Sequence, residues 1–202
     1  MSVLILDPLE EARLRAERQA RGDDRYDEVW DGVLVMAPLP NDEHQDLVNE
    51  LCYVFRLVLD RAAGDRVRPG VNVSDRAEDW TQNFRCPDVV VYRAETTAIN
   101  HGTHWQGGPD FAVEIVSPGE DPAAKLAFYA AVGTRELLVI ERDPWQLTLY
   151  RLDAGQLRSV GTVGVDEPAL ASAIVPLTWT LTAGPLRPII RVGHVDGRDW
   201  PI

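Results

Sequence analysis

Three side chains between Cys86 and Asp143 have the types and the order to do chemistry together: Asp88, Glu114 and Lys125. Asp88 opens the apolar run at 89–92, and Glu114 interrupts the run at 111–116. Both runs have the length and composition of buried strands, where an ionised carboxylate is costly unless something cationic pairs with it. Lys125 lies just inside a helix marked by Asp121 as N-cap, Pro122 at the first helical position and Gly133 past the end. It shares a helical stripe with Phe128, Tyr129 and Val132, so its stem should lie over apolar surface. Helical side chains lean toward the helix N-terminus, here the end nearest the preceding strand, and the three groups can therefore converge.

Two carboxylates and a lysine at strand ends suit a divalent cation, Mg²⁺ or Mn²⁺, held beside a scissile phosphate. Hard cations take carboxylate and carbonyl oxygens, and the backbone carbonyl of Ile115 or Val116 is a further donor at this point of the chain. The simpler alternative is a buried ion pair, in which Lys125 neutralises Glu114 and Asp88 caps a turn after Pro87. Each residue alone fits the ion pair better; the three together, on strand, strand and helix, favour a site.

The elements that must position these groups follow from local signals. Asp7, Pro8 and Glu10 start a charged helix over 8–21 that Gly22 stops, with Leu9, Ala12, Leu14 and Ala16 as its loose apolar contacts. Tyr26 to Ala37 reads as a hairpin turning at Asp31-Gly32. Asn41 or Asp42 caps a second helix running to about Ala63. On it His44, Val48, Leu51, Phe55, Val58 and Ala62 fall within about 40° of one direction. His44 is the one polar residue on that face, either a core-edge histidine bonded to a carbonyl or a group at the metal. Phe84 to Tyr92 is expected as a strand with Asp88 near its middle or at the bend made by Pro87, and 93–109 as a mobile loop near the site. That loop holds His101 and His104, which lack the second ligand pair of a zinc module and are expected to face solvent. Glu136 to Glu141 should be a central strand, Gln146 to Leu152 its antiparallel neighbour, and Leu157 to Val163 an edge.

Pro87-Asp88, then Glu114-Ile115-Val116-Ser117-Pro118, then Asp121, Lys125, Tyr129 and Gly133 resemble the Uma2 family of restriction-endonuclease-like proteins, a branch of the PD-(D/E)xK nuclease superfamily. The stretch RYDEVWDGVLVMAPLPNDEHQDLVNEL is similar to that family's amino-terminal part, and the likeness covers roughly residues 20–152. It implies an α/β fold, a restriction-endonuclease-like mixed sheet flanked by helices in a single domain, with 153–202 as an extension whose structure stays open. It also implies Asp88 and Glu114 as metal ligands and His44 where the superfamily often has a glutamate. In the superfamily's standard motif the lysine stands two residues after the glutamate; Val116 occupies that place here and Lys125 comes from the next helix.

Composition bounds the partners. The chain has 202 residues, 20 Lys and Arg against 32 Asp and Glu, and a net charge of −12, which opposes non-specific attraction to a phosphate backbone. Arg56, Arg61, Arg66, Arg68 and Arg85 are the local exception. Cys52 and Cys86 have no CxxC spacing and read as reduced thiols, and no apolar run is long enough for a membrane span, so a cytoplasmic protein is expected. The expected function is metal-dependent hydrolysis of phosphodiester bonds in nucleic acid, DNA first, by a homodimer whose two sites reach two strands. The rivals are a non-catalytic interaction module that keeps the fold and its ionic cluster, and a hydrolase of a small phosphorylated molecule, which lacks a glycine-rich phosphate loop.

Overall fold

The computed structural model describes residues 3–5, 7–117 and 121–202, so Pro118 of the quoted motif lies outside the described residues. In chain order the first elements are β1 (Val3–Ile5), α1 (Pro8–Arg21), β2 (Glu28–Trp30), β3 (Val33–Met36), α2 (Asp42–Val58), β4 (Arg66–Pro69), β5 (Val73–Ser74), β6 (Phe84–Arg85) and β7 (Val89–Tyr92). They are followed by β8 (Ile99–Asn100), β9 (Trp105–Gln106), β10 (Phe111–Ile115), α3 (Ala123–Ala131), β11 (Glu136–Arg142), β12 (Trp145–Asp153) and β13 (Gln156–Val163). The last four strands are β14 (Leu170–Ala171), β15 (Leu177–Thr182), β16 (Ile189–His194) and β17 (Asp199–Pro201).

The centre is a six-stranded sheet in the order β13-β12-β11-β10-β7-β4, in which β10 and β11 run parallel and the other pairs antiparallel. Alternation along its strands divides two cores. Val89, Val91, Phe111, Val113, Leu138 and Ile140 face α2, while Val90, Tyr92, Ala112, Leu137 and Val139 face Phe128 and Tyr129 of α3. The mixed sheet thus has a helix on each side, as expected.

Local capping explains the helix limits. Asp7 accepts from the backbone N–H groups of Leu9 and Glu10 at 2.9 and 3.0 Å, and Gly22 takes φ 75° to end α1. The expected apolar packing of α1 fails at Leu9, which is 85% exposed. The helix is clamped instead by Arg18, which donates to both oxygens of Asp27 at 2.7 Å and to the carbonyl of Ala37 at 2.8 Å. Asn41 caps α2 through the N–H of His44 at 3.0 Å. α2 stops at Val58 rather than near Ala63 because Asp60 captures the N–H groups of Ala62 and Ala63, a side-chain turn that competes with the helix.

Three further expectations are corrected. The strand over 84–92 is two strands: β6 joins the N-terminal sheet, β7 the central one, and the chain changes sheet at Cys86-Pro87-Asp88. The stretch 93–109 contains β8 and β9, which extend the N-terminal sheet, and none of its residues lines the site cavity. His104 is buried, stacked on Trp80 at 4.9 Å with Nε2 3.0 Å from the Arg76 carbonyl, because a ring stack and a backbone acceptor satisfy it inside.

The C-terminal region forms a four-stranded antiparallel sheet, β14-β15-β16-β17. Its Trp179, Leu181, Ile190 and Val192 join the same core as Phe111 and α2. Glu136 of the central sheet latches it, accepting from Arg151 Nε at 2.7 Å, from the N–H of Ala173 at 3.0 Å and from the Ser172 hydroxyl.

Candidate active site

Asp88 sits at the bend where the chain leaves β6 for β7. The antiparallel register pairs Val89 with Val113, and one step further sets Asp88 opposite Glu114. The Oδ2 atom of Asp88 accepts from the N–H of Ile115 at 2.7 Å, which fixes the bend to the end of β10. Its Oδ1 lies 2.8 Å from Nε2 of His44, one turn into α2, so the histidine side chain is spent on holding this carboxylate. His44 Nδ1 is left buried without a hydrogen-bond partner.

Glu114 points to the α3 side. Lys125 Nζ donates to its Oε2 at 3.1 Å, and the Tyr129 hydroxyl donates to Oε1. The structure therefore brings Asp88, Glu114, Lys125 and His44 to one cavity of about 240 Å³, which Ile115 and Val116 also line. Tyr129, one turn after Lys125 on α3, thus supports the glutamate. Of the arginines, Arg85 is buried between the rings of Trp30 and Phe128, 4.6 and 4.2 Å from their centroids, and none of Arg56, Arg61, Arg66 and Arg68 lines the cavity.

Sequence reasoning missed Glu28. Its Oε1 accepts from Lys125 Nζ at 3.0 Å and from the N–H of Cys86 at 2.9 Å, while Oε2 accepts from Trp30 Nε1 at 2.7 Å. One ammonium thus bridges two carboxylates, and Glu28 ties the hairpin to the bend that carries Asp88. The signal available was weak, an acid beside Val29 and Trp30 in RYDEVW, a stretch that carries other charges.

Electrostatics follow from this crowding. Burial pushes the Glu114 carboxyl up; Lys125 pulls against that shift, and Asp88 and Glu28 add to it. Burial alone would favour a neutral amine at Lys125, yet Glu114 and Glu28 hold its ammonium well above the usual range. Burial and the charge of Glu114 keep the Tyr129 phenol protonated, as its role as donor requires. Burial likewise raises both free thiols, Cys52 to about 11 and Cys86 beyond the ordinary range, which makes them inert.

Four carboxylates, Glu28, Asp88, Glu114 and Asp121, line a cavity in which Lys125 is the one Lys or Arg among the described lining residues. That excess of hard oxygen donors is chemistry that fits a divalent cation. Among the described residues no three His, Cys, Asp or Glu side chains form a ready-made cage, and Glu28 is already occupied by three donors. The donors on offer are Asp88, Glu114 and backbone carbonyls. The Val116 carbonyl already accepts from Arg142 at 3.4 Å.

A family model described as "Uma2: Putative restriction endonuclease" matches residues 10–184. The chain belongs to the Uma2 family. Among solved structures it is similar to one described as a putative nuclease belonging to DUF820 from Anabaena variabilis ATCC 29413, at 16% identity and TM-score 0.58 over 72% of this chain and 80% of that one. At that identity the likeness speaks for the fold, a nuclease-like α/β arrangement. No curated protein matches the chain. Among the described residues no helix is long and apolar enough to cross a membrane.

Proposed function

We propose that this Uma2 protein is a cytoplasmic Mg²⁺- or Mn²⁺-dependent nuclease that hydrolyses phosphodiester bonds in DNA. The observation that carries the reading is the excess of carboxylate over ammonium at one cavity, with Asp88 and Glu114 facing each other across adjacent strands. Asp88, Glu114 and the Ile115 carbonyl would hold the cation, which when bound polarises a phosphate oxygen and makes a coordinated water more acidic. His44 keeps the Asp88 carboxylate in place, as partners of metal-binding carboxylates commonly do. Tyr129 does the same for Glu114. Lys125 keeps a fixed positive charge beside the reacting phosphate, where negative charge develops. Glu28, by anchoring Lys125, is a positioning residue. A homodimer belongs to the same proposal, since one site reaches one strand of a duplex; the largely exposed Leu186 and Val195 of the C-terminal region offer apolar contact surface. Sedimentation giving only a 22.5 kDa species at micromolar concentration would remove the dimer.

One observation favours a second reading, a non-catalytic interaction module: both oxygens of Glu114 are engaged by Lys125 and Tyr129, a closed network that is satisfied without metal. Melting separates the two. With a metal site, Mn²⁺ at a hundredfold excess over Kd should stabilise the protein by about 2.7 kcal/mol, and Asp88→Ala should abolish that gain. Mn²⁺-dependent cleavage of plasmid and single-stranded DNA should then appear with wild type and vanish with Glu114→Ala. A melting curve unmoved by millimolar Mn²⁺ or Mg²⁺ sinks the nuclease reading.

A further inference from the structure

The cavity has a second wall that the proposed chemistry leaves unused. Besides the ionic residues it is lined by Tyr26, Trp30, Ala37, Pro38 and Pro40, from the β2–β3 hairpin and the chain on either side of it. Trp30 is held rigidly: its indole N–H donates to Glu28 Oε2 at 2.7 Å, and the Arg85 guanidinium lies 4.6 Å from its ring centroid, braced on the other side by Phe128. Tyr26 is tethered at its tip, where the hydroxyl accepts from Gln45 Nε2 at 3.3 Å. Both rings are only partly buried. Two fixed aromatic side chains and two prolines beside a carboxylate floor make a site with a flat apolar half and a charged half, the division found in a nucleotide between base and phosphate.

Charge decides which form of nucleic acid fits. Duplex binding draws most of its affinity from several Lys and Arg contacts to phosphates. Here Lys125 is the one cation among the described lining residues, and the chain as a whole carries −12. Affinity must therefore come from stacking, which needs a base that is not already stacked in a helix. A cavity of about 240 Å³ suits a single unpaired base better than a base pair within a duplex. We infer that the Tyr26–Trp30–proline wall receives the base of an unpaired nucleotide, so that the substrate is single-stranded DNA or an unpaired segment. This rests on the nuclease reading for the placement of the phosphate at Asp88, Glu114 and Lys125.

The test measures binding of a labelled single-stranded 12-mer and of its duplex by fluorescence anisotropy with Mn²⁺, using Glu114→Gln protein to suppress turnover, alongside cleavage by wild type. The single strand is expected to bind at least about tenfold tighter than the duplex. Adding Tyr26→Ala or Trp30→Ala should each weaken single-strand binding on the order of tenfold, and Tyr26→Phe should not. Mn²⁺ stabilisation of the single variant Tyr26→Ala should equal that of wild type, which shows that its fold and floor are intact. Trp30→Ala also releases Glu28, so Tyr26→Ala is the cleaner variant. Duplex bound as tightly as single strand, or Tyr26→Ala folded and binding like its parent, overturns the inference. Single-strand binding without cleavage by wild type supports the wall and removes the nuclease reading, whereas no binding of either form removes both.

Discussion

Lys125→Met is expected to destabilise the metal-free protein by about 3 to 5 kcal/mol, the cost of removing one partner from a buried ion pair. Its ammonium stands 3.0 Å from Glu28 and 3.1 Å from Glu114, and its side chain is 19% exposed, so water can replace it only in part. The substitution strands two carboxylates at once. Adding Mn²⁺ should recover part of the loss, because a cation in the cavity again faces Glu114. Glu28→Gln should cost less, since it removes a negative charge and leaves Lys125 paired with Glu114. Lys125→Met should nevertheless remain inactive under saturating metal: interactions of this kind with a transition state are worth about 2.7 to 4 kcal/mol, a hundred- to thousandfold in rate. Urea unfolding with and without Mn²⁺, beside DNA cleavage, reads both effects. A stability loss below about 1 kcal/mol would mean that solvent carries the charge balance, against the buried bridge described here. Cleavage equal to wild type would mean that Lys125 has no part in the chemistry.

Asp88, Glu114 and Lys125 were legible because each breaks a strong local pattern: an acid in a run of strand formers, or a lysine on an apolar helix face. Their convergence followed from element order, since a helix returning from β10 over the sheet points its first turn back at the strand end. Glu28 was hidden for the opposite reason. It belongs to RYDEVW, where one more acid is unremarkable, and only folding brings it against a residue 97 positions later. The hairpin turn was readable from Asp31-Gly32, whose φ values of 48° and 86° are those that such a pair tolerates. The division of 84–92 between two sheets was not, because nothing local says that a chain bent by proline will exchange partners. His104 illustrates a further limit: its burial depends on Trp80 and on a carbonyl at Arg76, both far along the chain. In the C-terminal region the signal was present. Leu177 to Thr182 alternates buried and half-buried residues, the period of a strand, but Pro176 just before it interrupts the apolar stretch.

Trp179→Ala is expected to cost about 3 to 5 kcal/mol, the range for deleting a large, fully buried aromatic. Trp179 is 0% exposed and its ring stacks on Phe111 at 5.2 Å. Phe111 begins β10, the strand that ends at Glu114 and Ile115, so the C-terminal sheet supports the strand that carries the site. If 153–202 forms one cooperative unit with the rest, as we propose, loss of this contact must weaken the whole chain and not the extension alone. Unfolding of Trp179→Ala followed by far-ultraviolet circular dichroism and by tryptophan fluorescence should then give a single coincident transition, shifted to lower denaturant without a change in slope. Two separated transitions, with the Mn²⁺-responsive one at its wild-type midpoint, would show that residues 153–202 fold independently. The site would then owe nothing to the stack between Trp179 and Phe111.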